Sequence, residues 1–278
     1  MSGGDFLGAM AQASARRVAE ARAREPVAVL AARAGAAAPA PPLQLSAAGF
    51  DLIAELKLRS PAAGVLGDSD ADLEARVGAY ARAGAAAVSV LTEPERFGGS
   101  LAHLARAAAA LAPLGVPAMR KDFVVDSYQL YEARAAGAGG VLLIVRMLAR
   151  AALAELAETA AGLGLFVLLE AFDAGDVAIA AELAERWHGR PEHCLLGINS
   201  RDLKSLAVVP ERLEALAALL PARFPRVAES GLTTPADAAR LAARGFSLAL
   251  VGSALMTAAE PAELARAMIA SGRGAVGR

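Results

Sequence analysis

Short apolar runs alternate with longer helical stretches from residue 50 onward, and this alternation restricts the fold more than any other feature of the chain. The runs are nearly continuous in apolar character, which is typical of parallel strands buried on both faces. They cover residues 50–56, 86–91, 116–119, 140–145, 165–169, 194–198, 226–228 and 248–251. The pattern predicts eight strands of a parallel sheet.

The segments between these runs have helical periodicity and carry signals that begin and end helices. They lie near residues 70–83, 100–112, 126–136, 149–162, 173–187, 210–220, 233–244 and 260–271. Pro235 and Pro261 stand at expected first turns, where a missing backbone N–H costs nothing. Glycines in C-cap position follow five of the segments, at Gly84, Gly115, Gly137, Gly164 and Gly245.

Eight strand–helix units in roughly 220 residues predict an α/β protein with a (β/α)8 TIM barrel. A doubly wound open sheet is the alternative, but no Gly-x-Gly-x-x-Gly turn follows the first strand. Residues 5–33 have an amphipathic helical pattern, and residues 36–42 have the Ala/Pro-rich composition of a linker. We therefore expect residues 1–49 to form an N-terminal helical extension and linker packed on a barrel of residues 50–278, in a single domain.

Charge and cysteine content exclude several classes of partner and cofactor. A net charge of −1 provides no electrostatic attraction to nucleic acid or to an anionic membrane. The single cysteine, Cys194, excludes an internal disulfide and a thiolate metal cluster, and the histidines follow no metal-ligand spacing, so we expect no metal. The first residues lack the basic-then-apolar pattern of a signal peptide, and no apolar stretch of about 18 residues is free of charges. We expect a cytoplasmic protein.

Only three of the 28 basic residues are lysines, and two of these, Lys57 and Lys121, lie where apolar runs stop. Arginine cannot replace lysine as a proton donor because its pKa is far too high, whereas burial can tune the pKa of a lysine toward neutrality. The positions of Lys57 and Lys121 therefore indicate that these lysines have a role in catalysis.

Polar side chains cluster where the predicted strands end. Residues two apart on a strand point the same way, so Glu55 and Lys57 share a face at the end of the first strand. In a barrel all the strand ends converge on one mouth, where the catalytic groups of this fold lie. The candidates at this mouth are Glu55, Lys57, Lys121, Glu170, Asn199, Arg201 and Glu229.

Glycine turns after the seventh and eighth strands predict a phosphate site. Ser230–Gly231 and Gly252–Ser253 follow these strands, and glycine lets backbone N–H groups approach an anion closely. A short helix that begins near Ser253 would direct its N-terminus at the same anion. The loops after these two strands are the usual phosphate site of the barrel.

Together these segments resemble the indole-3-glycerol phosphate synthase family of tryptophan biosynthesis. The resemblance covers the whole barrel in order, and the Arg-Lys-Asp-Phe and Gly-Ile-Asn-x-Arg-Asp-Leu blocks are specific. The matching segments are Ile-Ala-Glu-Leu-Lys-Leu-Arg-Ser-Pro (53–61), Val-Leu-Thr-Glu (90–93), Phe-Gly-Gly-Ser-Leu (97–101), Arg-Lys-Asp-Phe-Val-Val-Asp-Ser-Tyr-Gln-Leu-Tyr-Glu-Ala (120–133), Gly-Ile-Asn-Ser-Arg-Asp-Leu (197–203), Ala-Glu-Ser-Gly-Leu (228–232) and Val-Gly-Ser-Ala-Leu-Met (251–256).

The resemblance implies a phosphorylated small-molecule substrate, 1-(2-carboxyphenylamino)-1-deoxyribulose 5-phosphate, which cyclises with loss of CO2 and water and needs no cofactor. Lys121 resembles the general acid of the family, Glu55 the group that orients it, and Glu170 the general base. Lys57 resembles a phosphate ligand that also suits the acid of the dehydration step, and the sequence does not divide these roles. The resemblance leaves association with other enzymes of tryptophan biosynthesis open.

The remaining matched residues resemble substrate ligands. Asn199 and Glu229 match groups that hydrogen-bond the sugar hydroxyls, and Arg201 and Ser60 are placed to meet the anthranilate carboxylate.

Two positions depart from the family pattern. Ala62 replaces a serine that follows Ser-Pro, and Phe172 replaces a histidine two residues after Glu170.

Two other functions stay open at this point. One is a Schiff-base aldolase that uses Lys121 as its nucleophile. The other is a phosphate-binding barrel without catalysis, although such a protein has no need of a matched acid and base.

Overall fold

The computed structural model describes residues 6–61, 64–66, 72–187, 189–190, 193–203 and 205–276. Its centre is a closed barrel of parallel strands in the order β1-β10-β9-β8-β7-β6-β5-β4. The predicted (β/α)8 architecture is therefore confirmed, and each of the eight apolar runs overlaps a barrel strand. The barrel strands are β1 (Asp51–Leu56), β4 (Ala87–Leu91), β5 (Ala118–Lys121), β6 (Gly140–Ile144), β7 (Phe166–Ala171), β8 (Cys194–Asn199), β9 (Arg226–Glu229) and β10 (Leu248–Val251).

A small antiparallel hairpin that the sequence pattern did not predict lies in the loop after β1. Its strands are β2 (Arg59–Ser60) and β3 (Gly64–Val65). Both are too short to show periodicity, which explains why the pattern missed them. Ala62, one of the two departures from the family pattern, lies outside the described residues.

Helices follow the barrel strands and form the outer layer, as the periodicity predicted. All five predicted C-cap glycines have a positive φ, and Pro235 and Pro261 each open a helix. The helices of this layer are α3 (Leu73–Arg82), α4 (Pro94–Phe97), α5 (Leu101–Leu111), α6 (Ser127–Ala135), α7 (Arg150–Gly162), α8 (Ala174–Ala184), α9 (Glu211–Ala217), α10 (Pro235–Ala243), α11 (Ser253–Thr257) and α12 (Pro261–Ala275). None of the described helices has the length and apolarity that a bilayer crossing requires.

The strands bury apolar side chains on both faces, which accounts for the continuous apolar runs. Leu52 and Ala54 pack outward against the helices, whereas Ile53 packs inward with Met119 and Leu250. Cys194 is fully buried in the outer core, as expected, and burial raises the pKa of its thiol to about 12. Because strand side chains alternate, the residues two places beyond the inward ones also face the barrel axis.

The N-terminal extension forms two helices rather than the single helical stretch expected over residues 5–33. The first, α1, covers Phe6–Arg24, and the second, α2, covers Val27–Ala36, one residue into the expected linker. The break falls at Pro26, which caps α2 with an extended backbone. The residue before a proline disfavours helical geometry, so the single helix had to end there.

Polar contacts attach α1 to the loop that follows β5. The Ser14 hydroxyl donates to the Phe123 carbonyl at 2.5 Å, and the Arg17 guanidinium contacts Asp122 at 2.8 Å and Glu93 at 3.5 Å. Asp122 is buried and also accepts a hydrogen bond from the Thr92 hydroxyl. The extension is thus held by residues directly adjacent in sequence to Lys121.

We expect Arg17→Gln to lower the free energy of unfolding by about 1–3 kcal/mol, because Asp122 keeps its burial but loses one of its cationic partners. Chemical denaturation measures the loss, and limited proteolysis should show earlier cleavage within α1. Arg33→Gln is the matched control, since it breaks the exposed pair with Glu25 and should change stability little. Equal effects of the two substitutions would contradict the anchoring role of Arg17.

Candidate active site

A cavity of about 240 Å³ opens at the C-terminal end of the barrel strands. All the site residues predicted from the sequence except Glu229 line it, and Glu229 lies behind them in contact with Lys121. The lining residues among the predictions are Glu55, Lys57, Ser60, Lys121, Glu170, Asn199, Arg201, Ser230, Gly231, Gly252 and Ser253. The strand ends therefore converge on one space, as the barrel topology requires.

Lys121 occupies the centre of the site and contacts three carboxylates. Its Nζ lies 3.2 Å from Glu229 Oε2, 3.5 Å from Glu55 Oε2 and 3.9 Å from Glu170 Oε1. These carboxylates come from β9, β1 and β7, and the lysine ends β5. Alternate strands of the barrel thus supply the four charged groups.

The protonation of Lys121 differs from the sequence-based expectation that burial tunes it toward neutrality. Burial does lower the pKa of Lys121, but attraction to Glu229, Glu55 and Glu170 outweighs it and raises the pKa above its usual value. The amine is therefore a charged proton donor in the unliganded site. It is not a neutral nucleophile.

Lys57 and Glu55 form a second ion pair beside the first. Lys57 Nζ lies 2.7 Å from Glu55 Oε1. Burial raises the pKa of Glu55, but Lys57 and Lys121 outweigh burial and hold it below its usual value. Glu55 is therefore a carboxylate shared between two ammonium groups.

Gly252 makes room for the pair between Lys57 and Glu55. A Cβ at this position would lie 2.1 Å from Glu55 Oε1 and 2.9 Å from Lys57 Nζ. Lys57 is therefore adjacent to the glycine turn after β10, where the sequence predicts phosphate. Gly252 therefore has two reasons to lack a side chain. A Cβ would collide with Glu55 and Lys57, and the sequence predicts that its backbone approaches a phosphate.

Glu170 and Glu229 form a carboxyl pair next to Lys121. The Asn199 amide donates to Glu170 Oε1 at 2.7 Å and accepts the backbone N–H of Arg201 at 2.8 Å, so Glu170 is oriented by Asn199. Burial, followed by repulsion from Glu170, raises the pKa of Glu229 to about 8 against the attraction of Lys121. The pKa of Glu229 therefore lies well above that of an ordinary glutamate.

Glu229 Oε1 is fully buried and, within the described residues, meets no hydrogen-bond donor. A charge on an oxygen that accepts no hydrogen bond is poorly stabilised, which agrees with the raised pKa of Glu229. Gly197 leaves the space for this oxygen, since a Cβ there would lie 2.2 Å from it. The sequence did not reveal this role of Gly197, because Glu229 lies on the neighbouring strand β9.

The two predicted phosphate turns lie side by side at the cavity. Ser230 and Gly231 both have left-handed backbones, with φ of 68° and 79°, and α11 begins at Ser253 as predicted. A left-handed serine is strained by about 1–3 kcal/mol, and such strain is typical of functional sites. The turn geometry directs successive backbone groups to one side, as anion sites require.

Arg201 and Ser60 lie at the outer edge of the cavity. Arg201 pairs with Val208 in an isolated bridge, and its Nη1 donates to the Leu206 carbonyl at 2.6 Å. One arm of the guanidinium is therefore fixed by the protein. Ser60 ends the strand β2 of the hairpin after β1.

An aromatic wall on one side of the cavity was missed by the sequence analysis. Phe123 packs against Phe6 at 5.9 Å and against Phe97 at 6.2 Å between ring centroids, and all three line the cavity. Phe6 comes from α1, so the N-terminal extension contributes to the site. The available signal was that Phe97 and Phe123 belong to the specific segments in a chain with few aromatic residues. Such a wall suits a planar apolar ring.

Phe172, the second departure from the family pattern, is buried and outside the cavity wall. The Arg146 guanidinium lies 4.9 Å from the centre of the Phe172 ring. The backbone N–H of Phe172 donates to the Asp176 carboxylate at 2.9 Å. Phe172 therefore stabilises the loop after β7. The described residues contain no group of three or more His, Cys, Asp or Glu side chains placed to hold a metal ion.

Sequence comparison identifies the family. The family described as "Indole-3-glycerol phosphate synthase" matches residues 7–268. The chain belongs to this family. It is 42% identical over 224 residues to the indole-3-glycerol phosphate synthase of Kineococcus radiotolerans, covering 81% of this chain and 77% of that one. It is 39% identical over 257 residues to indole-3-glycerol phosphate synthase 1 of Streptomyces coelicolor, covering 92% and 91%.

Solved structures show the same fold at low sequence identity. Thiamine phosphate pyrophosphorylase from Pyrococcus furiosus superposes with a TM-score of 0.58 at 16% identity, covering 82% of this chain and 98% of that one. Tryptophan synthase from M. tuberculosis superposes with a TM-score of 0.55 at 17% identity, covering 81% and 94%. At this identity the likeness concerns the barrel alone.

We expect Gly252→Ala to reduce turnover at least tenfold while the protein still folds, because the new methyl group displaces Glu55 from Lys57. Steady-state kinetics and thermal unfolding measure the two effects. Gly162→Ala is the matched control, since a Cβ there has nothing within 4 Å and lies in a helix, where alanine is favoured. Normal turnover in Gly252→Ala would show that the short Glu55–Lys57 contact is dispensable.

Proposed function

We propose that this chain catalyses the decarboxylating and dehydrating ring closure of 1-(2-carboxyphenylamino)-1-deoxyribulose 5-phosphate to indole-3-glycerol phosphate. The observation that carries the proposal is the contact of Lys121 with three carboxylates, beside two phosphate-type turns and an aromatic wall. Membership of the indole-3-glycerol phosphate synthase family supports it.

Lys121 is the proposed general acid for ring closure. The ring carbon that bears the carboxylate attacks the C2′ carbonyl, and the oxygen of that carbonyl must gain a proton as the carbon–carbon bond forms. The raised pKa keeps a proton on Lys121, and the surrounding carboxylates fix its direction. Loss of CO2 then restores the electron pair to the ring.

Glu170 is the proposed general base for the dehydration that follows. The hydroxyl at C2′ departs as water after protonation, and a proton must leave the neighbouring carbon as the ring becomes aromatic. Asn199 holds Glu170 in place with a hydrogen bond of 2.7 Å to Oε1. Lys57, in contact with Glu55, is the second available acid for the departing hydroxyl.

The remaining residues are proposed to hold the substrate at four points. Phosphate binds at Lys57 and at the two turns Ser230–Gly231 and Gly252–Ser253. The carboxylate meets Arg201 and Ser60, and the sugar hydroxyls meet Asn199 and Glu229. The aromatic ring packs on the wall formed by Phe97 and Phe123.

The two alternative functions are less well supported. A Schiff-base aldolase needs a neutral lysine, whereas the carboxylates raise the pKa of Lys121. A silent phosphate-binding barrel needs the turns but not Glu170 oriented by Asn199.

The direct test is indole fluorescence. It should appear when the purified protein meets 1-(2-carboxyphenylamino)-1-deoxyribulose 5-phosphate, and its absence would contradict the proposed function. Borohydride trapping of substrate on Lys121 would favour the aldolase instead.

We further propose a cytoplasmic location and a single domain in which residues 1–49 pack on the barrel of residues 50–278. The contacts of Ser14 and Arg17 with the barrel support the single domain.

Association with other enzymes of tryptophan biosynthesis is a proposal from the family alone. Co-elution of those enzymes with this protein in size-exclusion chromatography is its test.

We expect Lys121→Arg to lower kcat about 10²- to 10⁴-fold, nearly as much as Lys121→Ala, with substrate affinity within an order of magnitude of wild type. Arginine keeps the charge among the carboxylates but does not release its proton near neutral pH. Steady-state kinetics of both variants provide the comparison. An arginine variant with near-normal kcat would show that charge alone suffices, and the acid assignment would be wrong.

We expect Lys57→Ala to raise KM for the phosphorylated substrate roughly ten- to a hundredfold, the effect of losing one charge-assisted contact. Inorganic phosphate should compete with substrate in the wild type and compete less well in the variant. The dephosphorylated substrate is the control, because its affinity should be low and similar for both proteins. Its binding as tightly as the phosphorylated form would contradict the phosphate assignment.

A further inference from the structure

Ser200 is a fully buried polar residue directly beyond β8, and it lies outside the cavity wall. Its side-chain oxygen lies 3.0 Å from the carbonyl oxygen of Ser230 and 3.2 Å from that of Glu229. Its own backbone is fixed on both sides, because its N–H donates to the Glu229 carbonyl at 2.9 Å and its carbonyl accepts the N–H of Val209 at 2.8 Å. The hydroxyl is thus a rigid donor aimed at the turn after β9.

The direction of these two carbonyls determines the direction of the next two N–H groups. In a trans peptide the carbonyl and the following N–H point to opposite sides. Since the carbonyls of Glu229 and Ser230 face Ser200, the N–H groups of Ser230 and Gly231 face away from it. Within the described part of the chain, neither N–H has a protein acceptor.

Ser230 needs a constraint of this kind, because its left-handed backbone, with φ of 68°, is unfavourable for any residue except glycine. Gly231, with φ of 79°, is enclosed on the same side. A Cβ on Gly231 would lie 2.8 Å from Val208 Cγ1 and 3.3 Å from Ser200 Oγ. The turn is therefore held between Ser200 and Val208.

We infer that Ser200 is a positioning residue for the phosphate group of the substrate. Its hydroxyl holds the strained Ser230 turn so that the N–H groups of Ser230 and Gly231 are directed at the anion. The inference rests on the proposed function for the identity of the ligand, and it adds a residue that makes no contact with that ligand.

The experiment compares wild type, Ser200→Ala and Ser247→Ala. Ser247 is the matched control because its hydroxyl also bonds backbone, accepting the N–H of Arg226 at 2.9 Å, but it precedes β10 at the opposite end of the barrel. Calorimetry measures the affinity for inorganic phosphate, and steady-state kinetics measure KM and kcat. Thermal unfolding reports purely structural losses.

Ser200→Ala should weaken phosphate binding and raise KM about tenfold each, with kcat within threefold of wild type. Tenfold corresponds to about 1.4 kcal/mol at 25 °C. Ser247→Ala should lower the unfolding temperature without changing either constant. Unchanged phosphate affinity in Ser200→Ala would overturn the inference, as would a loss of kcat with KM unchanged.

Two further outcomes are informative. If Ser200→Ala does not fold, Ser200→Cys keeps the volume and removes most of the donor strength, and it should give the same shift. Failure of both variants to fold would assign Ser200 a structural role and overturn the inference. Wild type that turns over the substrate but binds no phosphate would overturn the inference alone. Wild type that neither binds phosphate nor turns over the substrate would overturn the proposed function as well.

Discussion

The contact between Lys121 and the three carboxylates of Glu229, Glu55 and Glu170 is the interaction on which the site depends. Isolated buried charges are costly, and removing one partner of a buried group of charges leaves the others uncompensated. Two ammonium groups, Lys57 and Lys121, lie against these carboxylates and offset their charge. A closed parallel barrel makes this arrangement possible, because it brings carboxylates from three strands to within 3.9 Å of a lysine on a fourth.

Space matters in this site as much as charge. Gly252 follows β10 and Gly197 lies in β8, and each leaves a gap that a neighbouring carboxylate fills. In both cases the carboxylate comes from elsewhere in the chain, Glu55 for Gly252 and Glu229 for Gly197. The glycines therefore determine where the two carboxylates lie, and through them where Lys121 and Lys57 are held. A glycine near the mouth of the barrel can thus provide space for a charged side chain as well as for a ligand.

Features that depend on neighbouring residues in the sequence could be predicted, whereas features that depend on contacts between distant segments could not. Strands and C-cap glycines were predicted correctly, because apolar periodicity and turn chemistry are local signals. The hairpin at Arg59–Ser60, the aromatic wall around Phe123 and the space at Gly197 depend on contacts between distant segments. The pKa of Lys121 was expected to move downward, but three carboxylates from other strands reverse the direction.

The barrel and the N-terminal helix α1 contribute different kinds of interaction to the site. The barrel strands supply the three carboxylates around Lys121, on backbones fixed by the sheet, whereas α1 supplies Phe6 to the apolar wall and Arg17 to Asp122. Asp122 follows Lys121 directly in sequence, so the contact that anchors α1 also restrains the backbone of the proposed acid. Movement of α1 would therefore loosen the aromatic wall and the lysine together. This coupling explains why the extension packs at the end of the barrel where the site lies.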